Sequence, residues 1–539
     1  MFNREKKLKE KLSESFGKFK EDSFAFELIE RYFKKKDKAE AFQILSDKTC
    51  NDLDFNELFM FVDRTTSRVG QQCLYNTLRT IPPGDDKIDS REKVIDRMGR
   101  DSGLRVDLQL QLDQLATDEA YYITSLFQDK HISEPKWFFV IRLLAFTSLF
   151  SIVLLPFNTR MVFVLAGVFI VNAGIHYWNK NNLYEYLGSI PQLLKLNGVA
   201  KEFLKNDLLS EIDHNIPDSI KVIDQIRNRM SFFKLSAKLE NDMEAIVWAF
   251  MEFFKILFLL EPLLLFDVLK KLDTKRSEIE EVFSFVGSVD SMLSISSLRH
   301  SLSSYCLPDI SHADHKNLYV TDVYHPLIPN CITNSIRVNE KSILLTGSNM
   351  SGKTSFIRTI GINVITGLTI NTCFAGHFCL PRIRIYSAIR ISDDLMNDKS
   401  YYFEEVLTIK EMIDNSGNGK PNLFLLDEIF KGTNTIERIS AGKAVLSFMA
   451  KADNIVFVST HDIELADLLK DQYILYHFSE KVDHQTVDFD YKLKDGKLKN
   501  RNAIRILQIN GYPDEIIKEA IELSKELDNI TVSNNSSNR

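Results

Sequence analysis

The stretch Gly347-Ser-Asn-Met-Ser-Gly-Lys-Thr354 decides most of what this chain can be. It fits the pattern G-x-x-x-x-G-K-[ST], in which backbone N–H groups of a glycine-rich loop surround phosphate oxygens. The apolar run Ser342–Leu345 before it predicts a buried strand, and the residues from Thr354 onward predict a helix. Because a strand, a glycine-rich turn and a helix N-terminus together direct N–H groups at an anion, the stretch predicts a nucleotide-binding P-loop. Lys353 is expected to reach the β- and γ-phosphates, and the Thr354 hydroxyl to ligate Mg²⁺.

A second motif lies about seventy residues downstream, where the apolar strand Leu423-Phe-Leu-Leu ends in Asp427 and Glu428. A P-loop ATPase needs such acids beside its phosphate loop. Asp427 is predicted to hold Mg²⁺, through water or Thr354, and Glu428 to orient and deprotonate the attacking water. Acidic residues often end strands, so this pair indicates an ATPase site only because it follows a P-loop.

A third apolar run, Ile455–Val458, leads into Ser459-Thr-His-Asp462. His461 is predicted to sense or stabilise the γ-phosphate, which makes it the third catalytic candidate beside Lys353 and Glu428. A lone histidine after a strand more often has a structural role. Its place after the third strand of a P-loop domain favours the functional interpretation.

The composition is that of an ordinary globular protein large enough for several domains. The chain has 539 residues, of which 44% are hydrophobic, and a net charge of −7. The charge gives no overall basic field for nucleic acid, although a local basic channel stays open. The six cysteines are scattered, which favours a reducing compartment over a disulfide framework. Cys373 and Cys379, with His377 between them, are too few for a typical metal site.

Two apolar runs in the middle of the chain, Trp137–Phe157 and Met161–Trp178, are each about long enough to span a bilayer core. Asn158-Thr-Arg160 forms a short polar turn between them, and the distribution of basic residues predicts that both long flanks are cytoplasmic. We therefore expect a transmembrane hairpin, contact with a lipid bilayer through residues 137–178, and an integral location in the cytoplasmic membrane. A buried helical hairpin in a soluble protein is the alternative.

The order of strand-like and helix-like segments predicts an α/β P-loop domain at the C-terminal end and an all-α region before it. Short β-rich runs alternate with helical stretches from about Asn317 onward, as in nucleotide-binding domains. The apolar stretch Ala245–Phe266 contains three charged residues and predicts a long core helix. The expected segments are 1–135 (helical), 136–180 (hairpin), 181–315 (helical core or lever), 316–527 (P-loop ATPase domain with a C-terminal helical segment) and 528–539 (disordered tail).

Taken together, the motifs resemble the ATPase domain of MutS proteins, the DNA mismatch-repair ATPases. The resemblance is carried by Thr346–Thr354, Asp427–Thr435 and Ser459–His461. Asn334, ahead of the P-loop strand, and the closing segment Asn502–Ile517 fit the same family. It implies a P-loop ATPase of the MutS and ABC type that uses ATP and Mg²⁺.

The resemblance extends upstream and has departures. Arg64–Leu74 and Ser291–Leu298 look like the start and the end of the family's helical core domain. The chain leaves no room before them for the mismatch-reading and connector domains. The resemblance therefore implies a membrane-anchored variant that lacks both domains.

The family also implies a second copy of the chain. Ser400–Glu405 stands where the family has a Ser-Thr-Phe-x-x-Glu segment that reaches across a dimer to the partner's nucleotide. A homodimer is the expected assembly. Cys331 replaces an aromatic residue that often stacks on adenine, so base preference stays open. The nucleotide-contacting residues are then expected to be Gly347, Ser348, Asn349, Met350, Ser351, Gly352, Lys353, Thr354, Ser355 and Ser400.

Three functions compete. The first is an ATPase that binds and hydrolyses ATP at a composite dimer site and couples this to a conformational change in a membrane-anchored helical core. The second is a repair or recombination factor that binds mismatched or branched DNA through phosphate contacts. The third, a transport ATPase, is disfavoured because two spans in each chain are too few for a translocation path and no Leu-Ser-Gly-Gly signature is present.

Overall fold

The computed structural model divides the chain into two compact units. We call Met1–Ala39, Val62–Arg79 and Gly84–Ser301 the helical unit, and Glu40–Phe61, Thr80–Pro83 and Leu302–Arg539 the α/β unit. The structure describes residues 2–85, 88–212, 215–227, 230, 245–311, 316–348, 350–390, 401–417, 419–451, 453–482, 487–498 and 503–536.

The secondary structure changes character between the two units. The α-helices are α1 (Phe2–Ser15), α2 (Phe26–Ile29), α3 (Arg31–Lys35), α4 (Asp47–Asp52), α5 (Phe55–Val62), α6 (Arg68–Arg79), α7 (Ile88–Arg100), α8 (Ser102–Leu112), α9 (Ser125–Gln128), α10 (Phe138–Leu154), α11 (Met161–Phe203), α12 (Asp207–Ser210), α13 (Ala245–Phe258), α14 (Leu260–Asp273), α15 (Arg276–Ser301), α16 (Lys353–Ile370), α17 (Tyr401–Ser416), α18 (Thr435–Met449), α19 (Ile463–Leu469), α20 (Ala503–Ile509) and α21 (Asp514–Ser536). The strands are β1 (Gln43–Ile44), β2 (Thr80–Ile81), β3 (Asp309–Ser311), β4 (Asn317–Val323), β5 (Asn334–Asn339), β6 (Ser342–Thr346), β7 (His377–Pro381), β8 (Arg384–Ala388), β9 (Asn422–Asp427), β10 (Ile455–Thr460), β11 (Tyr473–His477), β12 (Glu480–Val482), β13 (Val487–Phe489) and β14 (Lys494–Asp495).

Helices α6 and α15 pack closely at the centre of the helical unit. A Cβ at Gly287 of α15 would lie 2.1 Å from Cys73 Sγ, and a Cβ at Gly70 of α6 would lie 2.2 Å from Asp290 Oδ2. Only glycine allows this approach. The buried Asp290 carboxylate in turn accepts hydrogen bonds from the backbone N–H of Thr66 and Ser67, at 3.0 and 2.7 Å, which satisfies it inside the core.

Helices α10 and α11 form the hairpin that the sequence predicted, and their outward faces are apolar. Phe139, Phe146, Phe163 and Ile170 are all more than 60% exposed. These faces gave the two runs their apolar composition. Among the described residues, however, only Met161–Asn179 is long and apolar enough to cross a membrane, because α10 has 17 residues.

The inward faces of the hairpin carry polar side chains beside the buried apolar residues Phe138 and Ile141. Asn172 Nδ2 of α11 donates to Ser148 Oγ of α10 at 3.3 Å and to Leu257 O at 2.8 Å. His176 Nε2 lies 3.0 Å from Glu252 Oε1 of α13. The predicted integral location in the cytoplasmic membrane is wrong, since one helix of span length remains in the described part of the chain and its Asn172 and His176 side chains pair within the protein.

The charged residues of the stretch Ala245–Phe266 join the same buried cluster. Lys255 Nζ lies 2.9 Å from Glu261 Oε1 and 3.4 Å from Glu252 Oε2. The stretch is two helices instead of the predicted one, because Leu259 has a φ of +48° and interrupts the helical hydrogen bonds between α13 and α14. Pairing among opposite charges is what makes their burial tolerable.

The α/β unit is built on a six-stranded sheet with the order β14-β11-β6-β10-β9-β8. Strands β11, β6, β10, β9 and β8 are parallel, and β14 is an antiparallel edge. Strands β6 and β10 are buried along their whole length, as expected when both faces of a parallel sheet are covered. The runs predicted as strands around Leu318, Ile343, Leu423 and Ile455 are strands β4, β6, β9 and β10.

The units divide the chain differently from the predicted segments. Residues 40–61 belong to the α/β unit. Asp52 of α4 accepts hydrogen bonds from Ser387 Oγ at 2.6 Å and from Arg390 N at 2.8 Å, and Asp54 pairs with Arg358 of α16 at 2.9 Å. Helix α21 continues to Ser536, where the sequence predicted a disordered tail from residue 528.

Candidate nucleotide site

The P-loop connects β6 to α16, as its sequence predicted. Lys353 is the first residue of α16, and its Nζ donates to Gly347 O at 2.9 Å and to Ser348 O at 2.8 Å. Burial lowers the pKa of the Lys353 ammonium, although the nearby Glu428 and Asp427 carboxylates oppose this. The lysine therefore lies within the loop that the sequence assigned to phosphate binding.

Two glycines give this loop its shape. Gly352 has a φ of +105°, and a Cβ there would lie 3.2 Å from Tyr491 Cδ1. A Cβ at Gly347 would lie 2.8 Å from Phe478 O. Both positions therefore exclude side chains, which keeps the loop backbone open to close approach by an anion.

The predicted Mg²⁺ ligands contact each other. Thr354 Oγ1 donates to Asp427 Oδ2 at 2.8 Å, although β6 and β9 are separated by β10 in the sheet. Ser459 of β10 lies between them and donates to the other oxygen, Asp427 Oδ1. A hydroxyl and a carboxylate oxygen are donors that Mg²⁺ prefers, so this pair fits the ion.

Glu428 follows Asp427 and has two cationic partners. Its Oε1 lies 2.7 Å from His461 Nε2, and its Oε2 lies 2.6 Å from Lys431 Nζ. Burial alone would raise the pKa of Glu428, but the hydrogen bonds from His461 and Lys431 outweigh burial and lower it to about 2. Glu428 is therefore ionised at any physiological pH. No motif had predicted Lys431 as a partner of Glu428.

The backbone around Glu428 is held in an unusual conformation. Glu428 has a φ of +53° and Phe430 a φ of +61°. Glu428 N donates to Ser459 O at 3.0 Å, and Phe430 N donates to the buried Glu405 carboxylate of α17. Burial raises the pKa of Glu405. These bonds fix the direction in which the Glu428 side chain leaves β9.

A cavity of about 570 Å³ adjoins the P-loop. Its walls include Lys353, Thr354, Glu428, Cys331 and Tyr491. Its size is in the range typical of small-molecule sites.

Tyr491 is a lining residue that sequence reasoning missed, because its segment carries no recognisable motif. Asn334 fixes that segment: its Nδ2 donates to Tyr491 O at 3.0 Å, and its Oδ1 accepts from Leu493 N at 2.8 Å.

The other residues predicted to contact the nucleotide differ in their hydrogen bonding and exposure. Ser348 Oγ donates to Glu480 Oε2 at 2.6 Å, and Ser351 Oγ donates to Ser348 O at 2.8 Å. Met350 is 82% exposed, and Ser355 is exposed on the first turn of α16. Two predicted contacts, Asn349 and Ser400, lie outside the described residues.

Comparison with known proteins agrees with this architecture. MutS domain V matches residues 343–528. The DNA mismatch repair protein MutS of Aquifex pyrophilus is 26% identical over 272 residues, which cover 49% of this chain and 31% of the relative. The DNA mismatch repair protein MSH3 of Kluyveromyces lactis is 28% identical over 277 residues, which cover 48% of this chain and 26% of the relative.

The C-terminal half of this chain belongs to the MutS family. Within its α/β unit, residues 343–528 match a P-loop ATPase-type domain of that family. The chain spans about a third, or less, of the length of the curated relatives it matches. Those relatives are DNA mismatch repair proteins, so they add nothing in favour of the membrane location that the hairpin suggested.

Proposed function

We propose that the MutS-type domain binds ATP with Mg²⁺ and hydrolyses it to ADP and phosphate. The observation that carries this proposal is the chain of contacts Thr354–Asp427–Ser459, together with Lys353, Thr354 and Glu428 in the wall of one cavity. Bound Mg²⁺ would neutralise phosphate charge in this reaction. The Lys353 ammonium and the loop N–H groups bind the phosphates.

Glu428 is proposed to orient the attacking water. Because its pKa is about 2, it is a weak base, and accepting a hydrogen bond from water is its main contribution. His461 and Lys431 hold the carboxylate ionised and in place. With a triphosphate bound, the proposed role of His461 is to stabilise charge on the γ-phosphate.

The test is steady-state ATP hydrolysis by the full chain. Glu428→Gln is expected to lower kcat at least about 100-fold while ATP still binds, since it removes only the water-orienting charge. Lys353→Ala is expected to lose binding as well. Glu522→Gln, an exposed glutamate of α21, is the matched control. If Glu428→Gln hydrolyses ATP as fast as the parent, the proposal is wrong.

We further propose that two copies share each site, with Ser400 of one copy meeting the nucleotide of the other. The resemblance of the segment 400–405 to the family supports this. Mixing tests it directly, because a Lys353→Ala copy and a Ser400→Ala copy would together form one intact site. Recovery of activity on mixing two inactive variants is expected. No recovery, with both variants folded, would contradict a composite site.

Coupling of hydrolysis to a conformational change in the helical unit is part of the same proposal. ATP is expected to alter the protease cleavage pattern of residues 84–301 in the Glu428→Gln variant.

The second candidate function, binding of mismatched or branched duplex DNA, is favoured by the names of the relatives. DNA that stimulates the ATPase and binds less tightly as salt rises would support it; no binding at low salt would exclude it.

A further inference from the structure

Two cysteines of the α/β unit face each other across a short backbone bridge. Cys306 and Cys373 form an isolated antiparallel bridge. Cys306 N donates to Cys373 O at 3.0 Å, and Cys373 N donates to Cys306 O at 2.9 Å. Residues that exchange both hydrogen bonds have Cα atoms about 5.5 Å apart, which lies within the range that a disulfide spans.

The side chains of the pair also meet. A side-chain interaction with Cys373 lowers the pKa of the Cys306 thiol, although burial opposes the shift. Cys373 Sγ also lies 3.5 Å from Asn363 O of α16. Cys306 is partly exposed and Cys373 is fully buried. An accessible thiol with a buried second thiol beside it is the arrangement of a redox pair.

We propose that Cys306 and Cys373 are a reversible redox site that a peroxide converts to a disulfide. The bond would join two points of the α/β unit that are far apart in sequence. Cys306 lies shortly after Leu302, where the chain enters the α/β unit for the last time. Cys373 lies shortly after Ile370, the last residue of the P-loop helix α16. The disulfide would tie the entry segment to the end of that helix.

The reaction balances with one molecule of peroxide. The Cys306 thiolate attacks one peroxide oxygen, so that an S–O bond forms, the O–O bond breaks and the departing hydroxide becomes water by taking up a proton. Cys306 is now a sulfenic acid. The Cys373 sulfur then attacks Cys306 Sγ, the S–S bond forms, and the S–O bond breaks. The Cys373 proton leaves with that oxygen as a second water, so two thiols are oxidised and one peroxide is reduced.

Two of the remaining cysteines, Cys73 and Cys379, differ from Cys306 in ways that make them controls. Burial raises the pKa of Cys73 to about 12. Burial, with Asp309 nearby, raises the pKa of Cys379. Thiolates are the reactive form, so neither cysteine competes with Cys306 for peroxide.

The experiment treats the full chain with hydrogen peroxide, blocks the remaining thiols with iodoacetamide, and maps the peptides under non-reducing conditions by mass spectrometry. A peptide containing Cys306 linked to one containing Cys373 is expected, and dithiothreitol should separate them. Cys379→Ser should keep the link. In Cys373→Ser, dimedone should label Cys306 as its sulfenic acid, because the second step is blocked.

Stability gives a second readout that does not need peptide mapping. Oxidation should raise the melting temperature of the α/β unit by on the order of 5 °C, and dithiothreitol should reverse the rise. Cys306→Ser should abolish the shift. If both cysteines are still alkylated after peroxide, or if the linkage joins other cysteines, the proposal is overturned. Neither result depends on whether the protein hydrolyses ATP.

Discussion

Gly287→Ala should destabilise the helical unit, because α6 and α15 touch at this glycine. The added Cβ would lie 2.1 Å from Cys73 Sγ, 2.7 Å from Cys73 Cβ and 3.2 Å from Val69 O. Cys73 is buried and Val69 O is backbone, so relief requires a shift of a whole helix. Overpacking costs about 1–3 kcal/mol, against a gain of up to about 1 kcal/mol for replacing glycine in a helix. We expect a net loss of about 2 kcal/mol.

Gly198→Ala is the matched control. Gly198 lies in α11 and is exposed, with no atom within 4 Å of an added Cβ. The same substitution there should stabilise the unit by up to about 1 kcal/mol. Thermal unfolding followed by far-ultraviolet circular dichroism measures both. At about 2–4 °C for each kcal/mol, Gly287→Ala should lower the melting temperature by roughly 4–8 °C, whereas Gly198→Ala should leave it unchanged or raise it.

A double substitution identifies the contact responsible. Removing the sulfur with Cys73→Ala eliminates the 2.1 Å contact. Gly287→Ala should therefore cost less in a Cys73→Ala background than in the parent, a coupling that independent sites do not show. Equal shifts for Gly287→Ala and Gly198→Ala, or strict additivity with Cys73→Ala, would refute the close packing.

Three further predictions concern the nucleotide site. In a Glu428→Gln background, Tyr491→Ala should weaken ATP binding roughly 2- to 10-fold, because it removes an aromatic wall of the cavity. Tyr512→Ala, at an exposed tyrosine, should leave ATP binding unchanged. Calorimetric titration measures the affinity of both variants. Thr354→Val and Asp427→Asn should each raise the Mg²⁺ concentration needed for half-maximal ATPase activity about tenfold or more. In the double variant this concentration should rise little further, because both residues act on one ion. Since the pKa of Glu428 is lowered from 4.5 to about 2, its stabilising contribution should be complete above about pH 4.5 and lost as the pH falls towards 2. The melting temperature of the parent should therefore approach that of Glu428→Gln in acid; a constant difference between the two would contradict the shift.

The elements that the sequence predicted best are those whose cause is local. The strand before Gly347 and the helix from Lys353 follow from an apolar run, a glycine-rich turn and a helix-forming sequence, all within a few residues. The strand that ends at Asp427 is equally local. The roles assigned to these residues stay predictions, but Lys353, Thr354 and Glu428 line one cavity, as the order of the motifs implies.

What the sequence could not supply depends on side-chain contacts that no sequence motif marks. Lys431 is one i,i+3 step from Glu428, yet nothing in its loop distinguishes it from an ordinary surface lysine. The segment around Asp52 joins the α/β unit only because its carboxylate meets N–H and hydroxyl donors more than 300 residues away. A single sequence contains no signal for such a pairing.

The hairpin shows how composition can mislead. Hydropathy counts residues without regard to the face they occupy, and the outward faces of α10 and α11 dominated that count. The polar side chains Asn172 and His176 lie on the inward face, where they meet Leu257 O and Glu252. A hydropathy count can only treat such side chains as interruptions, whereas the structure uses them as contacts.

The register of one central strand is what makes three separate motifs a single site. Strand β10 lies between β6 and β9, and Ser459 pairs with Leu345 on one side and with Asp427 on the other. In this register Ser459 Oγ reaches Asp427, Ser459 O accepts from Glu428 N, and the strand delivers His461 to Glu428. A slip of one residue would turn Ser459 to the opposite face of the sheet. Asp427 would lose its second hydroxyl partner and Glu428 its imidazole, although every motif in the sequence would still be present.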